Sequence, residues 1–257
     1  MEAVAIYAVA VILIRNVRGV LIAPARVFWP RFAYLDGRNH SAEIASLFLR
    51  GTRLTAILAS GVMLMVFTLG PSFIRLWVGE DFQAAYPVLL FLAAGYLIEC
   101  SQAIMGPFLG GTGRQGMQAI FAAVEGIIGT GLSIFLTWQL GLVGAPIGFL
   151  IGIVLIRGLI CPWYVCRLLH INLLRYYANC IIRPWLILLI LTIGTYSMDL
   201  SVYVSNWSHL IISVTAVACL YALCAYMIAM NREERKEMLG YIGKLSTGIL
   251  SLAGMKK

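Results

Sequence analysis

Residues 3–29 read AVAIYAVAVILIRNVRGVLIAPARVFW, from Ala3 to Trp29. The stretch is long enough to cross a bilayer as a helix. Arg15 and Arg18 fall near its middle, three residues apart, and so share one helical face. An arginine at bilayer depth costs at least about 2.5–3.5 kcal/mol on insertion scales, so a pair on one face points away from lipid. Two readings fit: a watery cavity or bound anion beside the pair, or a shifted span whose arginines snorkel to an interface. Apolar residues on both sides of the pair favour the cavity.

Composition sets the class. Of 257 residues, 61% are hydrophobic and 12% charged, with a mean hydropathy of +0.91. Repeated, continuous apolar runs point to an all-α, polytopic membrane protein, and their lack of alternation argues against an outer-membrane barrel. The net charge of +8 is explained by basic loops on one side of a membrane, with no nucleic-acid partner needed.

Seven spans are expected: Ala3–Trp29, Ile44–Leu69, Tyr86–Leu109, Met117–Trp138, Leu142–Val165, Ile181–Met198 and Leu210–Met230. Arginine and lysine crowd alternate connections. Arg31 and Arg38 lie in the first, and Arg167, Arg175 and Arg183 in the fifth; Arg232, Arg235 and Lys236 begin the tail. The alternation places the N-terminus outside and the C-terminus in the cytoplasm. A helical bundle over residues 1–230 is thus followed by an amphipathic cytoplasmic tail over 231–257. Arg167–Arg183 and that tail read as interfacial segments on an anionic leaflet.

Gly144, Gly148 and Gly152 recur every four residues on the fifth span, which lets another helix approach closely. The run GGTGRQG around Arg114 lacks the strand and the Lys-Ser/Thr of a phosphate loop and reads as a tight hairpin. Glu99 and Glu125 sit at membrane depth and need partners or water. With Arg15 and Arg18 they form the candidate substrate site, or else a structural ion pair; Arg157, nearer the cytoplasm, reads as snorkelling. The six cysteines lack metal-ligand spacing, so no metal or cofactor is expected. Scattered histidines and short connections offer no catalytic site, and an enzyme is not expected.

Several stretches share a resemblance. VFWPRFAYLDGRN (Val27–Asn39) resembles a valine-leucine-phenylalanine-proline, serine-leucine, glycine-aspartate segment of polysaccharide flippases. PSFIRLWVGEDFQAAYPVLLFLA (Pro71–Ala93) is similar to an isoleucine, leucine-tryptophan, glycine, phenylalanine, two-alanine element of the same family. FLGGTGRQGMQ (Phe108–Gln118) resembles its leucine, alanine, glycine-arginine turn, and GLVGAPIGFLIG (Gly141–Gly152) its glycine-leucine-x-glycine-alanine element. The chain thus resembles the C-terminal part of lipopolysaccharide and O-antigen flippases, within the multidrug/oligosaccharidyl-lipid/polysaccharide exporter superfamily.

That resemblance implies a carrier in the bacterial inner membrane moving a lipid-linked glycan diphosphate by alternating access between two lobes. Arg15 and Arg18 would be diphosphate contacts. Such carriers usually have about twice as many spans, so a second lobe, a second polypeptide or self-association is expected, or else the chain is a non-functional fragment. A cation-coupled drug exporter and a seven-helix receptor are the rival classes.

Overall fold

The computed structural model describes residues 2–197 and 204–230, so the tail over 231–257 lies outside the described residues. Every regular element among them is helical. Five helical stretches are long and apolar enough to cross a membrane, and a bent pair makes a sixth. One of the five, Gln115–Leu168, is 54 residues long, about twice what a bilayer needs. It turns back at Gly141, whose φ of 65° suits glycine. Counted as two, this hairpin brings the stretches long and apolar enough to span to seven, in an all-α polytopic membrane protein.

In chain order the helices are α1 (Glu2–Ile22), α2 (Trp29–Asp36), α3 (Ser41–Val78), α4 (Ala85–Ser101), α5 (Met105–Gly111), α6 (Gln115–Leu140), α7 (Gly144–Ile153), α8 (Cys161–Leu168), α9 (Leu173–Tyr176), α10 (Arg183–Ser197) and α11 (Trp207–Cys224). A 3₁₀ segment, Ala23–Phe28, joins α1 to α2, with Pro24 in its first turn. Helix α3 is the spine. It packs against α4, α10 and α11, and α1 packs on α4.

Pro71 lies inside α3, where its missing N–H leaves the Phe67 carbonyl without a helical donor. The Tyr86 hydroxyl donates to that carbonyl at 2.6 Å. A backbone group orphaned in the membrane thereby finds a side-chain partner. Two large apolar clusters make up most of the core, with a small third one around Leu69, Val204 and Leu210. Ile14, Leu64, Leu89 and Tyr221 belong to one, and Phe32, Phe48, Phe108 and Tyr176 to the other, near the arginine-rich loops.

The glycines of the fifth span pack against a neighbour in sequence. A Cβ on Gly144 would overlap the Leu136 backbone, one on Gly148 the Ser133 backbone, and one on Gly152 would lie 2.9 Å from Gly129 Cα. As the numbers rise along α7 they fall along α6, the register of an antiparallel hairpin. The Ser133 hydroxyl adds a 2.8 Å hydrogen bond to the Ala145 carbonyl. Similar close contact occurs at Gly110 and Gly111, where a Cβ would run into Trp29 and Phe32 and push α2 off α5.

Within Arg167–Arg183, the segment expected to lie on the membrane, a helix begins. Asn172 caps a new helix, its side-chain oxygen accepting from the Leu174 N–H at 2.9 Å. From Leu173 the chain is helical through to Ser197, entering the sixth pass without a break. Tyr176 is fully buried, stacked on Phe48 at 5.9 Å. Tyr176, Cys180 and Ile181 form the buried face of this segment, against the bundle.

Candidate functional site

The site begins where α1 crosses α4. Arg18 donates from Nε to Glu99 Oε2 at 2.8 Å and from Nη2 to Glu99 Oε1 at 2.6 Å, a bidentate pair. The Arg18 guanidinium also lies 5.7 Å from the centre of the Tyr96 ring. Glu99 is buried, with 6% of its side chain exposed, while 40% of Arg18 is exposed.

A second arginine completes the group. Beside Gly95, α7 comes close enough that a Cβ would meet Ile153 Cδ1 at 3.2 Å. One turn further along both chains, Arg157 reaches Glu99 Oε1 with Nη1 at 3.0 Å. Its Nε donates to Glu125 Oε2 on α6 at 2.6 Å. Arg157 belongs to a π-helical segment, Val154–Ile160, whose extra residue per turn shifts the face on which later side chains emerge. The Tyr177 hydroxyl donates to the Gly158 carbonyl in the same segment.

The four side chains form a line, Arg18–Glu99–Arg157–Glu125, joining α1, α4, the π-helical segment and α6. Its two positive and two negative charges cancel. Such pairing is what charges at membrane depth require.

This line borders a cavity of about 700 Å³. Arg18, Ile22, Arg26 and Pro30 line one wall at four-residue intervals, and Trp29 stands beside them. Met105, Pro107 and Phe121 add apolar surface opposite, with Gln102 and Gln118 as polar neighbours. Three guanidinium groups face two carboxylates, leaving one surplus positive charge. Arg26 supplies it, since among the described residues no carboxylate pairs with it. An amphiphilic pocket with one spare cation is suited to an anion joined to apolar or ring-bearing groups.

Of the residues expected at the site, the fold brings Arg18, Glu99 and Glu125 together. It leaves Arg15 out: that residue is absent from the cavity wall. Arg15 lies one turn before Arg18, whereas the wall continues in the other direction through Ile22 to Arg26. Arg157, expected to snorkel, is the centre of the charge line. Arg26 flanks the first basic connection, and its four-residue spacing from Ile22 and Arg18 is the sequence signal that places it on the same wall. The second carboxylate partner of Arg157 had no local signal, because it depends on the α6–α7 hairpin.

Fold and site together define a multi-pass helical membrane protein with a cavity lined by charged residues. No family model matches the chain, and no solved structure does so. The chain is 25% identical over 232 residues to a protein of Bacillus subtilis (strain 168) described as "Uncharacterized membrane protein EpsK". The match covers 89% of this chain and 45% of that protein, so the chain spans about half the length of the relative.

Proposed function

We propose that the chain is part of a carrier that moves a lipid-linked oligosaccharide or polysaccharide precursor across a bacterial inner membrane. The observation that carries this reading is the surplus cation of Arg26 on the wall of an amphiphilic cavity that Arg18 also lines. A diphosphate linking a lipid to a sugar is anionic at its centre, apolar at one end and hydroxyl-rich at the other. Arginine meets the first part, Met105 and Phe121 the second, and Trp29, Gln102 and Gln118 the third. The flippase-like motifs support the same reading.

The carrier performs no covalent chemistry. In the orientation given by the loop arginines, the cavity lies toward the cytoplasmic side, where such precursors are assembled. A second lobe, from another polypeptide or another copy of this chain, closes the pathway. A cation-coupled exporter would need carboxylates free to receive a cation, whereas Glu99 and Glu125 are both held by arginine.

The test is binding of farnesyl diphosphate against farnesol and tetraphenylphosphonium, with the protein in nanodiscs. Saturable binding of the diphosphate alone is expected, weakened at least tenfold by Arg26→Gln. Preference for the hydrophobic cation would overturn the reading.

A further inference from the structure

The carboxylate of Glu99 sits where an anionic ligand of Arg18 would sit. It engages Nε and Nη2 at 2.8 and 2.6 Å, the fork geometry with which arginine receives a phosphate. The two partners are unequally placed. Glu99 is buried against α4, while Arg18 keeps much of its side chain open to the cavity. The guanidinium is therefore within reach of an anion entering from the cavity, which would compete with the Glu99 carboxylate for Nε and Nη2.

Glu99 has a second cation at hand. Arg157 Nη1 already lies 3.0 Å from Oε1, the oxygen that Arg18 Nη2 also uses. Were Arg18 the sole partner of Glu99, its departure would strand a buried carboxylate, which is strongly unfavourable. With Arg157 in place, Glu99 stays neutralised. Arg157 in turn is steadied by Glu125 on the other side.

We propose that Glu99 is a built-in stand-in for the substrate anion, occupying Arg18 in the empty cavity and surrendering it to an arriving anion while Arg157 keeps the carboxylate neutralised. Glu99 and Arg157 are then positioning residues, acting through Arg18. The exchange removes a link between α1 and α4 whenever substrate is bound, so occupancy is reported to the helix packing. No atom changes its covalent partner. The inference rests on the reading that the cavity receives an anion, and it adds how the empty site is kept closed.

The consequence is a change in sign that simple scaffolding would not give. Removing a group that merely holds the site in shape weakens ligand binding. Removing an internal competitor strengthens it. Wild type, Glu99→Gln and Glu99→Asp are titrated with inorganic pyrophosphate in nanodiscs, and thermal unfolding of each checks that it is folded. Glu99→Gln is expected to bind pyrophosphate roughly tenfold more tightly than wild type. Glu99→Asp keeps the charge but draws it back by one methylene, and is expected to bind severalfold more tightly, which gives the test a second arm should the glutamine variant fail to fold. The double substitution Glu99→Gln with Arg157→Gln is expected to bind as Glu99→Gln does, because Arg157 acts only through the carboxylate.

Unchanged or weaker binding by the folded Glu99 variants would overturn the exchange and leave the anion cavity standing. A further large loss in the double variant would do so too, by making Arg157 a direct ligand. Failure of wild type to bind pyrophosphate, with farnesyl diphosphate also ignored, would overturn both readings.

Discussion

Arg18 and Glu99, 81 residues apart in the chain, are joined by two hydrogen bonds of 2.8 and 2.6 Å across the α1–α4 contact. This pairing explains how the first apolar stretch tolerates an arginine within its span. The same carboxylate then connects to Arg157, so α1 and the α6–α7 hairpin are tied together through one buried group.

Arg157 serves two carboxylates and Arg18 one. Arg157→Ala is therefore expected to destabilise the fold by about 2–4 kcal/mol, less than a fully buried pair because the side chain is partly exposed, and Arg18→Ala by about 1 kcal/mol. Thermal unfolding in detergent ranks them. Equal or reversed effects would show that the link to Glu125 contributes little.

The α6–α7 hairpin leaves no room for a side chain at Gly148, where a Cβ would overlap backbone around Ser133. Gly148→Leu is expected to lower the yield of folded protein severalfold, since overpacking against backbone costs about 1–3 kcal/mol or more. Gly131, with open space around its Cβ position, makes the control: Gly131→Ala should leave the yield unchanged.

The Tyr221 hydroxyl lies 2.6 Å from Ser60 Oγ and donates to the Ile57 carbonyl at 2.9 Å, fastening α11 to the spine. Tyr221→Phe keeps the ring, which covers Gly61, and loses these bonds. A loss of about 1 kcal/mol is expected in detergent unfolding. An unchanged midpoint would mean that α11 is held by ring packing alone.

Orientation is open to direct labelling. Single cysteines replacing Gln83 and Arg114, in a background without the native cysteines, should react from opposite sides with a membrane-impermeant thiol reagent. Intact cells are expected to expose Gln83→Cys and protect Arg114→Cys. The reverse pattern would invert the cavity.

Much of this architecture is legible in the sequence, because hydropathy and helix length fix the passes and glycine spacing marks the close-packed hairpin. What local periodicity cannot supply is which charge faces which. Arg15 and Arg18 share a face, yet the cavity runs along α1 in one direction only, toward Arg26, and a helical wheel has no such axis. Arg157 reads as snorkelling from its place nearer the cytoplasm, but it lies in a π-helical segment and meets Glu99 and Glu125 instead. Glu99 and Glu125 were visible as costly charges, but their sharing of one arginine emerges only when α4, α6 and the segment after α7 come together.

Translocation itself provides the most direct test of the carrier. Proteoliposomes holding the complete transporter are loaded with a lipid-linked oligosaccharide diphosphate, and the fraction of sugar accessible to an external glycosidase is followed with time. Arg26→Gln is expected to stop the increase, while Arg15→Gln, altered outside the cavity wall, is expected to preserve it. Continued translocation by the folded Arg26 variant, or an equal loss from both substitutions, would contradict the assignment of this cavity to the substrate's anionic centre.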